Sequence, residues 1–300
     1  MCTEFSQRLK DSHNFALEKG ELVFSESTTE NVVQNGIEFE IRFAPSLAFK
    51  PAGKADAKKN EGKPANPFLP YNPTLLVQEL DHHVVLLNKF CVVPYHILVV
   101  TKEFYPQTDP PLPKDFAAVW YCLRRFKDNA LAFYNCGASS GASQPHKHIQ
   151  IVPMSACPPI FSILPKIPPE DQGKPLTTEN LPYIHAFTRL DLDMLHNATD
   201  EDAGGYLSGV FFNLYDFMID QIRHHPTSQT SSAGFVSYNF LLSQDTMMLV
   251  PRTLEKWGDI SINSLGFAGT LLVKSLEQLN TVKTNSILDI LKSVSFQKTE

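Results

Sequence analysis

Paired cysteines are what this 300-residue sequence most plainly lacks: its five, Cys2, Cys91, Cys122, Cys136 and Cys157, are odd in number, widely spread and never in a CxxC pair. That argues against a disulfide framework and against a structural zinc site. A basic excess is missing as well. With 26 Lys and Arg against 32 Asp and Glu, the net charge is −6. No global field then exists for long nucleic acids, and an anionic small molecule has to be held by local groups. No run of about 18 apolar residues occurs that could span a bilayer, so no membrane partner is expected. The first ten residues lack the basic-then-apolar order of a secretory signal, which makes the cytoplasm the expected compartment, with the nucleus as a second.

What is present is globular: 43% hydrophobic and 19% charged residues, in a length that suits one large α/β domain or two modest ones. Phe5, Leu9 and Ala16 or Leu17 at helical spacing, with Gly20 as a stop, predict an N-terminal helix. Ile37, Phe39, Ile41 and Phe43 alternate with polar residues, the period of a half-buried strand. From Lys50 to Lys63 the chain turns to Lys, Ala, Gly, Asn and Pro, and a mobile loop is expected over 51–66. Two β-rich runs, His83 to Leu87 and Phe90 to Thr101, meet at Asn88 and Lys89. Phe116, Val119, Trp120, Leu123 and Phe126 predict a helix within Leu112 to Ala132, followed by a strand from Leu131 to Asn135. Eight prolines between Pro153 and Pro182 leave no room for a regular element. Beyond them a helix is expected over Tyr206 to Arg223, strands over Val236 to Leu242 and Met247 to Val250, and a helix over Leu271 to Leu279.

The chemistry is concentrated at His146, Lys147, His148, Ile149 and Gln150. On a strand, His146, His148 and Gln150 share one side, and Lys147 and Ile149 the other. Just upstream, the small residues from Asn135 through Gly137, Ser139, Ser140 and Gly141 to Gln144 let backbone N–H groups approach an anion closely. Imidazole is a nucleophile for phosphorus that is neutral near pH 7 and can depart again. Its other ring nitrogen should donate to an acceptor, a backbone carbonyl nearby being the cheapest, while Gln150 could bond phosphate oxygens. On spacing alone, two polar-face histidines on an ordinary strand account for the segment as well; the Gly/Ser turn favours the anion site. Alternate histidines can also bind zinc, but no Cys or carboxylate lies at ligand spacing, and no metal site is expected. His82, His83, His224 and His225 give no reason to prefer a ligand over a surface role, and Trp120 and Trp257 read as packing residues.

These residues resemble the histidine-triad superfamily in its HxHxQ branch, and closely the fungal diadenosine tetraphosphate phosphorylases, or ATP adenylyltransferases. The resemblance rests on FAPSLAFK (43–50), LNKFCVVPYHILVVT (87–101), FYNCGASSGASQPHKHIQ (133–150), YNFLLSQDTMMLVPR (238–252) and INSLGFAGTLLVK (262–274). It implies an α+β fold, a largely antiparallel sheet covered by helices, in two fused half-domains: a catalytic half 1–153 and a C-terminal half 183–300, joined by the Pro-rich stretch 154–182. It implies reversible cleavage of diadenosine tetraphosphate by inorganic phosphate to ATP and ADP through an adenylyl group on His148, with Gln150 and His146 supporting. By the same matching Lys50, Asn88, Lys89, Asn135, Gly141, Ala142, Ser143, Gln144, Gln150, Asn263, Ser264, Leu265, Thr270 and Lys274 fall on nucleotide-binding positions, Leu265 and Thr270 through their backbones. Taken singly, Lys50 and Lys274 read equally as solvated charge, and Asn88 and Lys89 as turn residues. Mg²⁺ is expected with the polyphosphate and not on the protein, and a monomer is favoured. The rivals are a hexose-1-phosphate uridylyltransferase, which commonly carries the CxxC pair missing here, a hydrolase using water, and a non-catalytic nucleotide-binding module.

Overall fold

The computed structural model describes residues 2–49, 68–126, 129–224 and 235–298. The expected mobile loop 51–66, Lys50 and His225 lie outside the described residues.

An eight-stranded sheet runs through the molecule in the order Ala186–Arg189, Thr246–Pro251, Tyr238–Leu242, Ala130–Cys136, His148–Pro153, Ile97–Thr101, His83–Leu87, Leu76–Glu79. Every neighbouring pair is antiparallel. Strands from before and after the Pro-rich stretch join where Asn239 stands opposite Asn135. The inner strands are buried on both faces, so their sequences read as apolar runs without alternation. One face packs under the helices Cys2–Glu18, Pro113–Leu123 and Asp200–Arg223, with Phe5, Phe116, Trp120 and Phe211 in that core. The other packs against Ile37, Phe39, Ile41 and Leu271 of a small second sheet and against the C-terminal helices, through Phe267 and Leu291. This is the expected α+β architecture.

Several boundaries differ from the expectations. The helix foreseen within Leu112 to Ala132 stops at Leu123, and Ala130–Cys136 is already strand, because pairing with two neighbours outweighs helical spacing there. The segment Leu271 to Leu279 is not one helix. Thr270–Val273 is a strand pairing in parallel with Ile37–Phe43, and the helix Leu276–Thr284 begins only after Ser275, whose side chain caps it. The Pro-rich stretch holds two short helical turns, Pro159–Ser162 and Pro169–Asp171, each with proline in its first turn, where the missing N–H costs nothing. The helix expected from Tyr206 starts at Asp200, capped by Thr199 and followed by three acidic residues at the positive end of its dipole.

Candidate active site

The strand His148–Pro153 lies between Ile97–Thr101 and Ala130–Cys136, with Val100 opposite His148 and both Leu98 and Phe133 opposite Gln150. Alternation does what the sequence required: Ile149 and Ile151 enter the core beneath the helix Pro113–Leu123, while the histidines look the other way, toward Phe68 and Phe104. His148 is only 3% exposed. Its Nδ1 lies 2.8 Å from the carbonyl oxygen of His146. A carbonyl can only accept, so Nδ1 carries the proton and Nε2 keeps its lone pair. Burial lowers the His148 pKa to about 4, against the raising effect of that carbonyl, and the ring is neutral at pH 7. Among the described residues no hydrogen-bonding group reaches Nε2.

His146 is held in the opposite tautomer, its Nε2 donating to the Thr101 carbonyl at 2.8 Å. Its buried Nδ1 has no partner among the described residues. The contribution of His146 to its neighbour therefore comes through its main chain. Gln107, passed over in the sequence, clamps the strand: its Oε1 accepts from the His148 N–H at 2.9 Å and its Nε2 donates to the Asn135 carbonyl at 2.9 Å.

Gln150 is oriented by another residue that the sequence reading missed. His96 Nε2 lies 3.0 Å from Gln150 Oε1, and His96 Nδ1 lies 3.2 Å from Asn88 Nδ2. Asn88 Nδ2 must donate, so the chain runs Asn88 to His96 to Gln150, and the Gln150 amide nitrogen is left as a donor. The signal was on view in the segment Pro94, Tyr95, His96, inside a block already matched. Lys89 lies at the surface, 3.9 Å from Glu21.

Behind the strand, Lys147 is buried with its Nζ 2.9 Å from the Pro110 carbonyl and 3.3 Å from Asp115 Oδ2. Asp115 Oδ1 is 2.7 Å from His83 Nε2. Burial alone would raise the Asp115 pKa, but the His83 hydrogen bond, the Lys147 charge and the Leu112 N–H hold it below the usual carboxylate range. His83 is thus no surface residue, in contrast to His82 and His224, which are exposed. Trp120 lies in the core beneath the helices, and Trp257 packs against the core of the opposite face.

The Gly/Ser turn adopts its shape because of its glycines. Gly137 and Gly141 have φ of +88° and +81°, a region that L side chains avoid. A Cβ on Gly141 would also stand 3.0 Å from both the Ile262 carbonyl and Asn263 Cβ. Ser140 is buried within the turn, Ala142 is half-buried, and Ser143 and Gln144 are exposed. Asn135 Oδ1 accepts from Asn239 Nδ2 at 2.9 Å and from the Ser264 N–H and hydroxyl at 2.9 and 2.7 Å. Asn263 caps the helix Ser264–Ala268 by accepting from the Leu265 N–H. A cavity of about 150 Å³ gathers Asn263, Thr270 and Lys274 with Asp259, Ser261 and Gln278. Leu265 packs on the core beside it. A larger cleft of about 790 Å³ lies at the Pro153 end of the same strand, away from His148.

Two family descriptions match this chain: Ap4A phosphorylase N-terminal domain over residues 2–168, and ATP adenylyltransferase C-terminal domain over residues 179–297. The chain belongs to the Ap4A phosphorylase family. It is 31% identical over 302 residues to diadenosine 5',5'''-P1,P4-tetraphosphate phosphorylase 2 of Saccharomyces cerevisiae, covering 92% of this chain and 89% of that protein. Protein APA1 of the same yeast is 28% identical over 321 residues, covering 99% and 95%. Among solved structures, yeast Ap4A phosphorylase Apa2 superposes with a TM-score of 0.80 at 26% identity, covering 99% of this chain and 98% of the other. Its complex with Ap4A gives a TM-score of 0.78 at 27% identity, covering 99% of each chain.

Proposed function

We infer that this member of the Ap4A phosphorylase family is a nucleotidyltransferase that splits diadenosine tetraphosphate with inorganic phosphate into ATP and ADP, reversibly, and that His148 carries the adenylyl group between the two steps. The observation that carries the inference is the tautomer of His148, with Nδ1 tied to the His146 carbonyl and the lone pair left on Nε2, which no hydrogen-bonding group reaches among the described residues. Its nearness to a glycine-shaped turn and to an oriented Gln150 amide supports the choice of a phosphorus centre.

The Nε2 lone pair attacks the α-phosphorus, the bond to the bridging oxygen breaks, and ATP departs as an anion that needs no proton from the enzyme. The ring becomes a cation whose Nδ1–H already points at a carbonyl. An oxygen of inorganic phosphate then attacks the same phosphorus, the P–N bond breaks, and ADP leaves with His148 neutral again. Gln150, Asn135 and the turn Gly141 to Gln144 are assigned to the reacting phosphates. Asn263, Thr270 and Lys274 are assigned to the far nucleotide, with Asn88, Lys89, Ser264, Leu265 and Lys50 as further binding positions. Mg²⁺ accompanies the polyphosphate as its counter-ion, with no side chain of this chain assigned to it. A monomer in the cytoplasm, and in the nucleus beside it, completes the reading.

Chromatography of products with and without phosphate tests the reaction. ADP, and ATP beyond one equivalent per chain, should form only when phosphate is present. ATP and AMP formed in its absence would mean hydrolysis by water, and turnover of a uridylyl donor alone would mean the wrong nucleotide.

A further inference from the structure

We propose that Arg252 is a positioning residue for this transfer, acting through Asn239 to hold the Asn135 carboxamide with its nitrogen toward the nucleotide phosphate. The proposal rests on the functional reading above.

Arg252 is 3% exposed and makes no ion pair among the described residues. Its donors are spent on oxygens instead. Nε donates to the Val294 carbonyl at 3.0 Å, and Nη2 to those of Leu254 and Glu255 at 2.6 and 3.3 Å. Nη1 donates to the Ile262 carbonyl at 2.8 Å, to that of Ser140 at 3.5 Å, and to Asn239 Oδ1. The guanidinium carbon sits 5.0 Å from the centre of the Phe267 ring.

A guanidinium has no acceptor, so the Asn239 atom facing it must be oxygen. The Asn239 nitrogen then points the other way, 2.9 Å from both Asn135 Oδ1 and the Ser140 carbonyl. With Ser264 adding two more donors to Asn135 Oδ1, that oxygen is saturated and the Asn135 nitrogen is turned away from it. Asn135 is a neighbour of the nucleophile, since Gln107 bridges the Asn135 carbonyl and the His148 N–H. One buried cation from the C-terminal part of the chain therefore sets an amide beside His148 and pins the Gly/Ser turn at Ser140. The Glu255 charge acts on Arg252 without forming an ion pair, so the hold on Asn239 and Ser140 comes from the directed N–H donors rather than from a net field.

Asn239→Asp keeps the acceptor for Arg252 and gives it a counter-charge, but can no longer donate to Asn135 or Ser140. Asn135 Oδ1 then faces a carboxylate oxygen in place of a donor and is held by Ser264 alone, so its carboxamide loses the fixed orientation. Calorimetric titration with AMP and with adenosine should show AMP bound at least about ten-fold more weakly and adenosine within about two-fold of the wild type. Arg252→Lys, which keeps the charge and loses the fork, should show the same selective loss. Equal weakening of AMP and adenosine would mean a merely structural part, and unchanged AMP affinity in a folded variant would mean no part; either overturns the proposal. So does a wild type that binds AMP no better than adenosine. If Asn239→Asp does not fold, Asn239→Ser asks the same question with Arg252 in place. A wild type that binds AMP but does not turn over diadenosine tetraphosphate with phosphate would overturn the functional reading and leave this comparison standing.

Discussion

Two buried histidines of this chain have almost the same local geometry and opposite chemical prospects. His148 and His185 each place Nδ1 2.8 Å from the carbonyl of the residue two before, His146 and Tyr183. Burial lowers the pKa of each to about 4. They differ at Nε2. That of His185 accepts from the Thr178 N–H at 3.0 Å and faces the Thr177 hydroxyl at 3.3 Å, whereas that of His148 meets no such group among the described residues. They differ also in the residue between: buried Ile184 in one, and in the other Lys147, pinned by Asp115. Making imidazole neutral and fixing its tautomer is thus not enough for a nucleophile. His185 spends its lone pair stapling the Pro-rich stretch to the sheet edge.

The strongest way to break this comparison is to remove each ring in turn. His148→Ala should lower phosphorolysis by about 10⁴-fold or more, the scale of losing a nucleophile, while His185→Ala should stay within about ten-fold at a temperature where it is folded. Comparable losses in the two, measured as initial ATP release, would erase the distinction. Next in size is the support under Lys147. Asp115→Asn leaves a buried ammonium without its anion and should cost about 3–5 kcal/mol in urea unfolding; a loss under about 1 kcal/mol would mean that the triad is solvated in solution.

Acid should act on both histidines alike. Their folded-state pKa values lie below the ordinary 6.5, near 4, so between these limits the unfolded chain binds more protons than the native one. The stability each contributes is therefore present above about pH 6.5 and lost as pH falls through about 4, on the order of 3 kcal/mol apiece. His185→Leu should flatten part of that acid limb while leaving the rise of rate with pH near 4 in place, because that rise belongs to His148. A rate profile that shifts in His185→Leu would contradict the assignment. The smallest effect is expected at His96. His96→Leu frees the Gln150 amide to rotate, and kcat/KM should fall about ten-fold, the value of one hydrogen bond of roughly 1.4 kcal/mol, with little change in unfolding.

The proposed nucleophile is legible in the sequence because period-two alternation and a glycine turn are local signals, and the structure has both at His148 and Gly141. Apolar spacing shows the helix starting at Asp200 only from Tyr206 on, although Thr199 and three acids announce it. Thr270–Val273 was unreadable as a strand for another reason: its partner, Ile37–Phe43, lies more than two hundred residues away. The orienting residues Gln107, Asn239 and Arg252 share that difficulty. Each acts by a bond to something remote, and nothing in its immediate sequence distinguishes it from a residue of an ordinary strand or turn.

Nε2 of His148 should become covalently adenylylated during turnover. Mixing the enzyme with diadenosine tetraphosphate in the absence of phosphate, quenching, and reading intact mass followed by peptide mapping tests it directly. One AMP per chain on the peptide holding His148, discharged as ADP when phosphate is added and absent from His148→Ala, is the predicted result. An adduct on another residue, or steady turnover with phosphate and no adduct at any time after mixing, would contradict the account.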